Sequence, residues 1–180
     1  LAKARAEIRG ETFDPPAPEA LARYRPNVGV VLVNGDGQLW LGRRSDSPGP
    51  RNWQFPQGGV DRGEDLLAAA LRELHEETGA KSATPIGQTR EWMAYAFPAS
   101  HRRSRGSERW IGQKQIWFAL RFTGEDAEFD LAAHNTPEFD AWRWVEPQDV
   151  LPHVVEFKQA TYERVLEAFR PLITASLGAI

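Results

Sequence analysis

The sequence contains no cysteine and a single methionine. Without cysteine there is no disulfide framework, no thiolate metal site and no cysteine nucleophile, and a reducing compartment is the simplest home. Long apolar runs are missing too. The longest purely aliphatic stretch, Val30 to Val33, falls far short of the roughly 20 residues that a membrane helix needs. A signal-peptide pattern is also lacking, because Lys3, Arg5 and Arg9 are followed by no apolar segment; the expected location is the cytoplasm. Nor is there a strong charge of one sign. With 22 basic and 25 acidic residues the net charge is -3, which by itself points to no polyanion partner. The four histidines, His75, His101, His134 and His153, show no ligand spacing, which argues against zinc. There is no internal repeat.

What is present describes one ordinary domain. A chain of 180 residues, 41% of them hydrophobic, can bury a core large enough to fold without staples. Residues 1–23 mix Ala, Arg and Glu around Pro15, Pro16 and Pro18 and sustain no apolar face, so they read as a flexible N-terminal appendage. Residues 24–172 form the expected domain and 173–180 a C-terminal tail. Val28 to Val33 and Gln38 to Arg43 flank Asn34-Gly35-Asp36-Gly37, which predicts a hairpin. A short strand is expected at Trp53 to Phe55, and further strands near Gln88 to Phe97, Gln113 to Phe122 and Ala141 to Val145. A helix is expected from Glu64 to Thr78, with Asp61-x-x-Glu64 as a capping box and Gly79 as its stop. A second helix is expected from Lys158 to Phe169, ended by Pro171. Strands and helices interleaved at these lengths predict an α/β layered domain with a mixed sheet.

Charge is unevenly spread. From Arg90 to Lys114 there are six bases and two acids, and from Asp61 to Ala80 six acids and two bases. Such segments, if they converge, suit a polyphosphate held through divalent cations. On a helix at about 100° per residue, Glu73, Glu76 and Glu77 share an arc of about 100°, with Leu67, Leu71, Leu74 and Thr78 on another face. Only Arg72 is placed to relieve the like-charge repulsion. A carboxylate run of this kind is ordinarily a solvated face; clustered oxygen donors on a rigid element also suit Mg²⁺.

The frame around the cluster decides between these readings. Gly58, five residues, Glu64, seven residues, Arg72-Glu73-Leu74, one residue, Glu76-Glu77, one residue and Gly79-Ala80 together resemble the Nudix box. Seven fixed identities at a usage of roughly one in fifteen each would match by chance on the order of once in a million chains. Ala80 departs from the pattern, which prefers a bulkier aliphatic there. The resemblance implies a Nudix-type α/β/α sandwich that hydrolyses phosphoanhydrides of nucleotides with Mg²⁺ or Mn²⁺, through more than one ion.

Five further blocks, Tyr24 to Gly29, Trp53 to Gly59, Gly112 to Gln115, Thr136 to Asp140 and Trp142 to Trp144, resemble the bacterial RNA pyrophosphohydrolase and dinucleoside polyphosphate hydrolase subfamily. By that resemblance Glu73, Glu76, Glu77, Glu138 and the Gly58 carbonyl hold metal, and either Glu73 or Glu138 is the catalytic base. Glu64 is expected to support the box rather than bind metal. Arg25, Arg44 and Lys114 are expected to contact phosphate or base, and Val155, Phe157 and Lys158 to hold a nucleotide, Phe157 by stacking; the alternative for Phe157 is a buried helix-start aromatic. The tryptophans Trp53, Trp92, Trp117, Trp142 and Trp144 read as core. His101-Arg102-Arg103-Ser104-Arg105 is either a solvated loop or a track for an RNA backbone. The implied substrate is the 5′-triphosphate end of RNA, with a dinucleoside polyphosphate as the alternative and no obligate protein partner. A catalytically silent nucleotide-binding domain is the rival from another class, and the intact glutamate set speaks against it.

Overall fold

A computed structural model of the chain describes residues 13–101, 110–134 and 136–177. Its first strand, β1 (Tyr24–Val33), runs into β2 (Leu39–Arg44) through the expected turn. The Asn34 side-chain oxygen accepts the N–H groups of Asp36 and Gln38 at 3.0 and 2.9 Å, and Gly37 has φ +73°, the left-handed conformation that glycine adopts without cost. β3 (Trp53–Gln54) pairs with β2, and β4 (Gln57–Gly59) returns to β1. After helix α1 (Leu66–Thr78) come β5 (Ala83–Gln88), β6 (Met93–Ala96), β7 (Gly112–Phe122) and β8 (Phe139–Val145), and the chain closes with helix α2 (Glu156–Ala175).

The sheet is mixed, as expected. β7 lies parallel to β1 along its whole length, from Tyr24 opposite Gly112 to Val33 opposite Arg121, and the other pairings are antiparallel. The strand order is β3-β2-β1-β7-β5, with β4 on β1, β6 on β7 and β8 on β2. Strand alternation sorts the core into two layers. Val28, Val30, Leu32, Ile116, Phe118 and Leu120 face α1, while Val31, Val33, Trp117 and Ala119 face α2 with Tyr162, Val165 and Phe169. Each of these fully buried large apolar side chains contributes about 1.5–3 kcal/mol. The other edge of β1 is shared: β4 takes Asn27 to Gly29, and β2 reaches Val33. That division places the start of β4, and the loop leading to α1, in the middle of the molecule.

Several boundaries differ from expectation. Asp61 does not cap α1; it forms a turn in which its N–H donates to Glu64 Oε2 at 2.9 Å, and Gly63 at φ +77° breaks the path into the helix. Asp65 is the cap, accepting the Ala68 N–H at 2.9 Å. The strand expected over Gln88 to Phe97 is realised only as β6, and β5, which was not expected, ends at Gln88; both lie on β7, with Thr89 between them bonded to Trp117 by N–H and Oγ1. Pro171 lies inside α2 rather than ending it. The hydrogen bond it forfeits is compensated by burial of Phe169 and Ile173 on either side of it.

Residues 13–23 lie against the domain. The backbone of Phe13 exchanges two bonds with the Gln88 carboxamide, Trp92 Nε1 donates to Pro15 O at 2.9 Å, and Lys114 Nζ to Leu21 O at 3.2 Å. Deleting residues 1–22 is expected to leave fold and turnover in place but to lower Tm by about 2–6 °C in a chain of this size, because it uncovers Trp92 and strips a buried lysine of its acceptor. Thermal melts of both forms check this; an unchanged Tm would mean that the docked segment contributes nothing.

Candidate active site

Arg72 is the hub of the loop and helix that follow β4. Its Nε and Nη2 grip the two oxygens of Glu64 at 2.7 and 2.9 Å, Nη2 also donates to the Gly59 carbonyl at 2.9 Å, and Nη1 reaches Glu73 at 2.8 Å and Glu76 at 3.3 Å. The two-pronged bond to Glu64 uses the planar fork of guanidinium. Glu64 is thereby held below the usual carboxylate range, first by that bond. Glu73 moves the other way: burial raises it, although Arg72 opposes the shift.

The carboxylates do not form a face separate from the packed one. Leu66, Ala69, Ala70, Leu74 and Thr78 are the buried positions of α1, and Leu67 and Leu71 only half-buried. At about 100° per residue Leu66, Ala69 and Ala70 bracket Glu73 and Glu77, so both glutamates point inward toward β4. Gly58 makes this possible, since a Cβ there would overlap the Glu73 carboxylate. Glu77 accepts the Gln57 N–H at 3.3 Å. Burial raises its carboxyl well above the ordinary value, and the charges of Glu138 and Glu73 raise it further.

Glu138 arrives from the other end of the chain. The Ser45 N–H donates to Glu138 O at 3.0 Å and Ser45 Oγ to Pro137 O at 2.8 Å, which pins the start of β8 to the end of β2. Arg44 then lies 3.5 Å from Glu138 Oε1 while binding Asp46 through two bonds of 2.9 and 2.7 Å.

Beside these groups opens a cleft of about 820 Å³ lined by Arg25, Arg44, Val155, Phe157 and Lys158 among others. Lys158 is buried and donates to Gln54 Oε1 at 2.9 Å; burial, and then the Arg44 charge, bring it down to about 8. Arg25 packs on Gly59, where any Cβ would collide with its guanidinium. The Phe157 ring stands 5.8 Å from Tyr95, on the cleft wall rather than sealed in the core. Lys114 is not brought to this cleft. As its neighbour on the strand, Gln113, faces the cleft and accepts from Tyr95 OH at 2.6 Å, Lys114 points to the opposite side of the sheet, under the Trp92 ring. Trp53, read as core, packs against the core on the α2 side while also lining the cleft, with the Arg143 guanidinium 4.2 Å from its ring centroid.

Gln54 and Gln57, to which the sequence assigned no role, line the cleft, and so does Gln113, which the sequence placed near the site only as a strand-end hydrogen bonder beside Lys114. Gln54 and Gln57 sit in the block Trp53 to Gly59 that carried the resemblance, and strand alternation through Gly112 to Gln115 was the available signal for Gln113. The basic stretch Arg102 to Arg109 lies outside the described residues.

Among the described residues no three carboxylate or imidazole side chains are already gathered as a metal cluster. The donor set nevertheless fits a hard cation. It is all oxygen, and Glu77, whose charge is opposed by Glu73 and Glu138, has one N–H as its hydrogen-bond partner. A divalent ion would compensate that charge.

The NUDIX domain family model matches residues 23–167, and the chain belongs to the Nudix family. It is a Nudix hydrolase, of a class that generally uses divalent metal ions. The chain is 53% identical over 152 residues to an RNA pyrophosphohydrolase of Caulobacter vibrioides, covering 82% of this chain and 87% of that one. It is 46% identical over 155 residues to an RNA pyrophosphohydrolase of Rhodospirillum rubrum, covering 86% and 92%. Among solved structures, the C. elegans Ap4A hydrolase binary complex shares the fold at a TM-score of 0.61 and 20% identity, covering 84% of this chain and 98% of that one. No helix among the described residues is long and apolar enough to cross a membrane.

Proposed function

We propose that the enzyme hydrolyses a phosphoanhydride at the 5′-triphosphate end of RNA, in the cytoplasm, and leaves a 5′-monophosphate end. The observation that carries this reading is the juxtaposition of an inward-facing carboxylate group on α1 with a cleft lined by Arg25, Arg44 and Lys158 and an aromatic wall. The names of the relatives support it. Arg25, Arg44 and Lys158 supply positive charge for the phosphates, and Phe157 and Val155 an apolar surface for a base. Glu73, Glu76, Glu77, Glu138 and the Gly58 carbonyl would hold Mg²⁺ or Mn²⁺, in more than one ion, and the metal would offset phosphate charge and lower the pKa of a bound water. The proton of the attacking water passes to Glu73 or Glu138. Arg72 keeps Glu73 and Glu76 aimed by clamping the loop at Glu64 and Gly59 to the helix.

Incubating an end-labelled triphosphorylated oligomer with enzyme and Mg²⁺ tests the reading. The expected products are a monophosphorylated oligomer and pyrophosphate or stepwise phosphate; an intact 5′ end would contradict it. Phe157→Ala is expected to weaken RNA turnover by about 1–3 kcal/mol, the worth of one base stacked on an aromatic ring, and to leave hydrolysis of a free nucleoside triphosphate nearly unchanged. Equal losses on both substrates would return Phe157 to a packing role.

A further inference from the structure

We infer that Gln54 is a positioning residue for substrate binding, and that its neutrality is the property that matters. The inference rests on the proposed phosphate-binding role of Arg44 and Lys158. Gln54 is 2% exposed, on the two-residue strand β3 opposite Gly42. Its carbonyl oxygen accepts from Lys158 Nζ at 2.9 Å and meets Arg44 Nη1 at 3.5 Å. One lone-pair-bearing oxygen thus joins two cations that repel each other, a repulsion that adds to burial in lowering Lys158.

Arg44 is also tied to Asp46 and lies near Glu138, whereas Lys158 has no carboxylate in a salt bridge among the described residues. Among the described residues its ammonium, buried at the cleft, is oriented by the Gln54 oxygen alone among hydrogen-bonding groups. A glutamate in that place would make stronger bonds to both cations. It would also cancel one of the two charges that Lys158 and Arg44 offer the phosphates. A carboxamide fixes position through its dipole and leaves the full double charge for the ligand.

The amide nitrogen adds a second observation. Because two donors occupy Oε1, the side chain cannot be turned end for end without facing –NH₂ toward two cations, so Nε2 is the free end. That nitrogen is buried and has no partner. An unpaired buried donor is unfavourable by itself, and such groups concentrate where a ligand or water completes them. A phosphate oxygen carried by Arg44 and Lys158 would supply the acceptor. Gln54 therefore holds the cations toward the ligand and offers it a third, uncharged donor.

Two variants test this. Gln54→Glu keeps an oxygen acceptor for Lys158 and Arg44 and should fold normally, yet it is expected to raise KM for triphosphorylated RNA about tenfold or more, the scale of a lost charged hydrogen bond, with kcat changed less than threefold. Its slope of log affinity against log salt should fall by about 0.7, one phosphate contact on a single strand. Gln54→Met, of similar length but without acceptor or donor, should also raise KM. A merely structural role predicts the opposite pattern, with the charged variant losing Tm and its salt slope unchanged. KM within twofold of wild type for Gln54→Glu, at an unaltered salt slope, would overturn the inference. Both variants are also measured on diadenosine tetraphosphate. If wild type cleaves only that substrate, the RNA reading fails while the variant-to-wild-type ratio on it still judges Gln54.

Discussion

Glu77→Gln is expected to abolish nearly all turnover while leaving the fold intact and the metal-free protein slightly more stable. Loss of a partner that merely orients a metal ligand costs about 10–100-fold, so loss of a ligand itself should exceed 100-fold in kcat. The stability effect has the opposite sign for a clear reason. Burial and the charges of Glu138 and Glu73 raise the Glu77 carboxyl in the folded protein. Ionising it at neutral pH therefore opposes folding, and that penalty is present above the folded value and fades as pH falls toward the ordinary carboxyl range. The amide still offers an oxygen to the Gln57 N–H. A Tm about 1–3 °C above wild type is expected at pH 7.5 without metal, with the gap closing as pH falls. A variant that keeps most of its activity would remove Glu77 from the metal set.

Gly58→Ala is expected to be nearly as damaging by a different route. The added Cβ falls on the Glu73 carboxylate, and neither neighbour can yield freely. Gly58 is paired with Val28 in β4, and Glu73 is held by Arg72. Either α1 lifts from the sheet or Glu73 turns away, and displacement of a reacting group by about 1 Å commonly costs about 100-fold. Overpacking of about 1–3 kcal/mol should lower Tm by about 2–10 °C. Gly35→Ala is the control, since nothing lies within 4 Å of a Cβ there. Steady-state kinetics and melts of both variants check the expectation; full activity in Gly58→Ala would show that the close approach of β4 and α1 is dispensable.

The sequence made the glutamates legible but not their direction. Spacing alone placed Leu67, Leu71, Leu74 and Thr78 on one face and the carboxylates on another, because apolar periodicity assumes that charge faces water; Leu74 and Thr78 are buried as expected, while Leu67 and Leu71 are only half-buried. In the structure the packed stripe is Leu66, Ala69, Ala70 and Leu74; the two alanines let the helix approach β4 closely enough for Glu73 and Glu77 to be enclosed. Arg72 was readable as the relieving charge, yet its reach to Gly59 O depends on the loop closing back. Lys114 was misplaced by pattern likeness, and the strict alternation of β7 settles its side. Pro171 shows tertiary packing overriding a local stop signal. β1, β2, β7, β8 and the hairpin turn at Asn34 were legible from pattern and turn residues; β5, the three-residue β4 and the placing of β3 and β4 beside β2 and β1 needed coordinates, since very short strands carry almost no periodic signal.

The most direct test of substrate is kcat/KM for a triphosphorylated RNA oligomer and for diadenosine tetraphosphate, measured side by side with the same enzyme at the same Mg²⁺ concentration. An RNA pyrophosphohydrolase should favour the RNA by at least about tenfold, a difference of 1.4 kcal/mol in transition-state stabilisation. A preference of that size for diadenosine tetraphosphate would contradict the account.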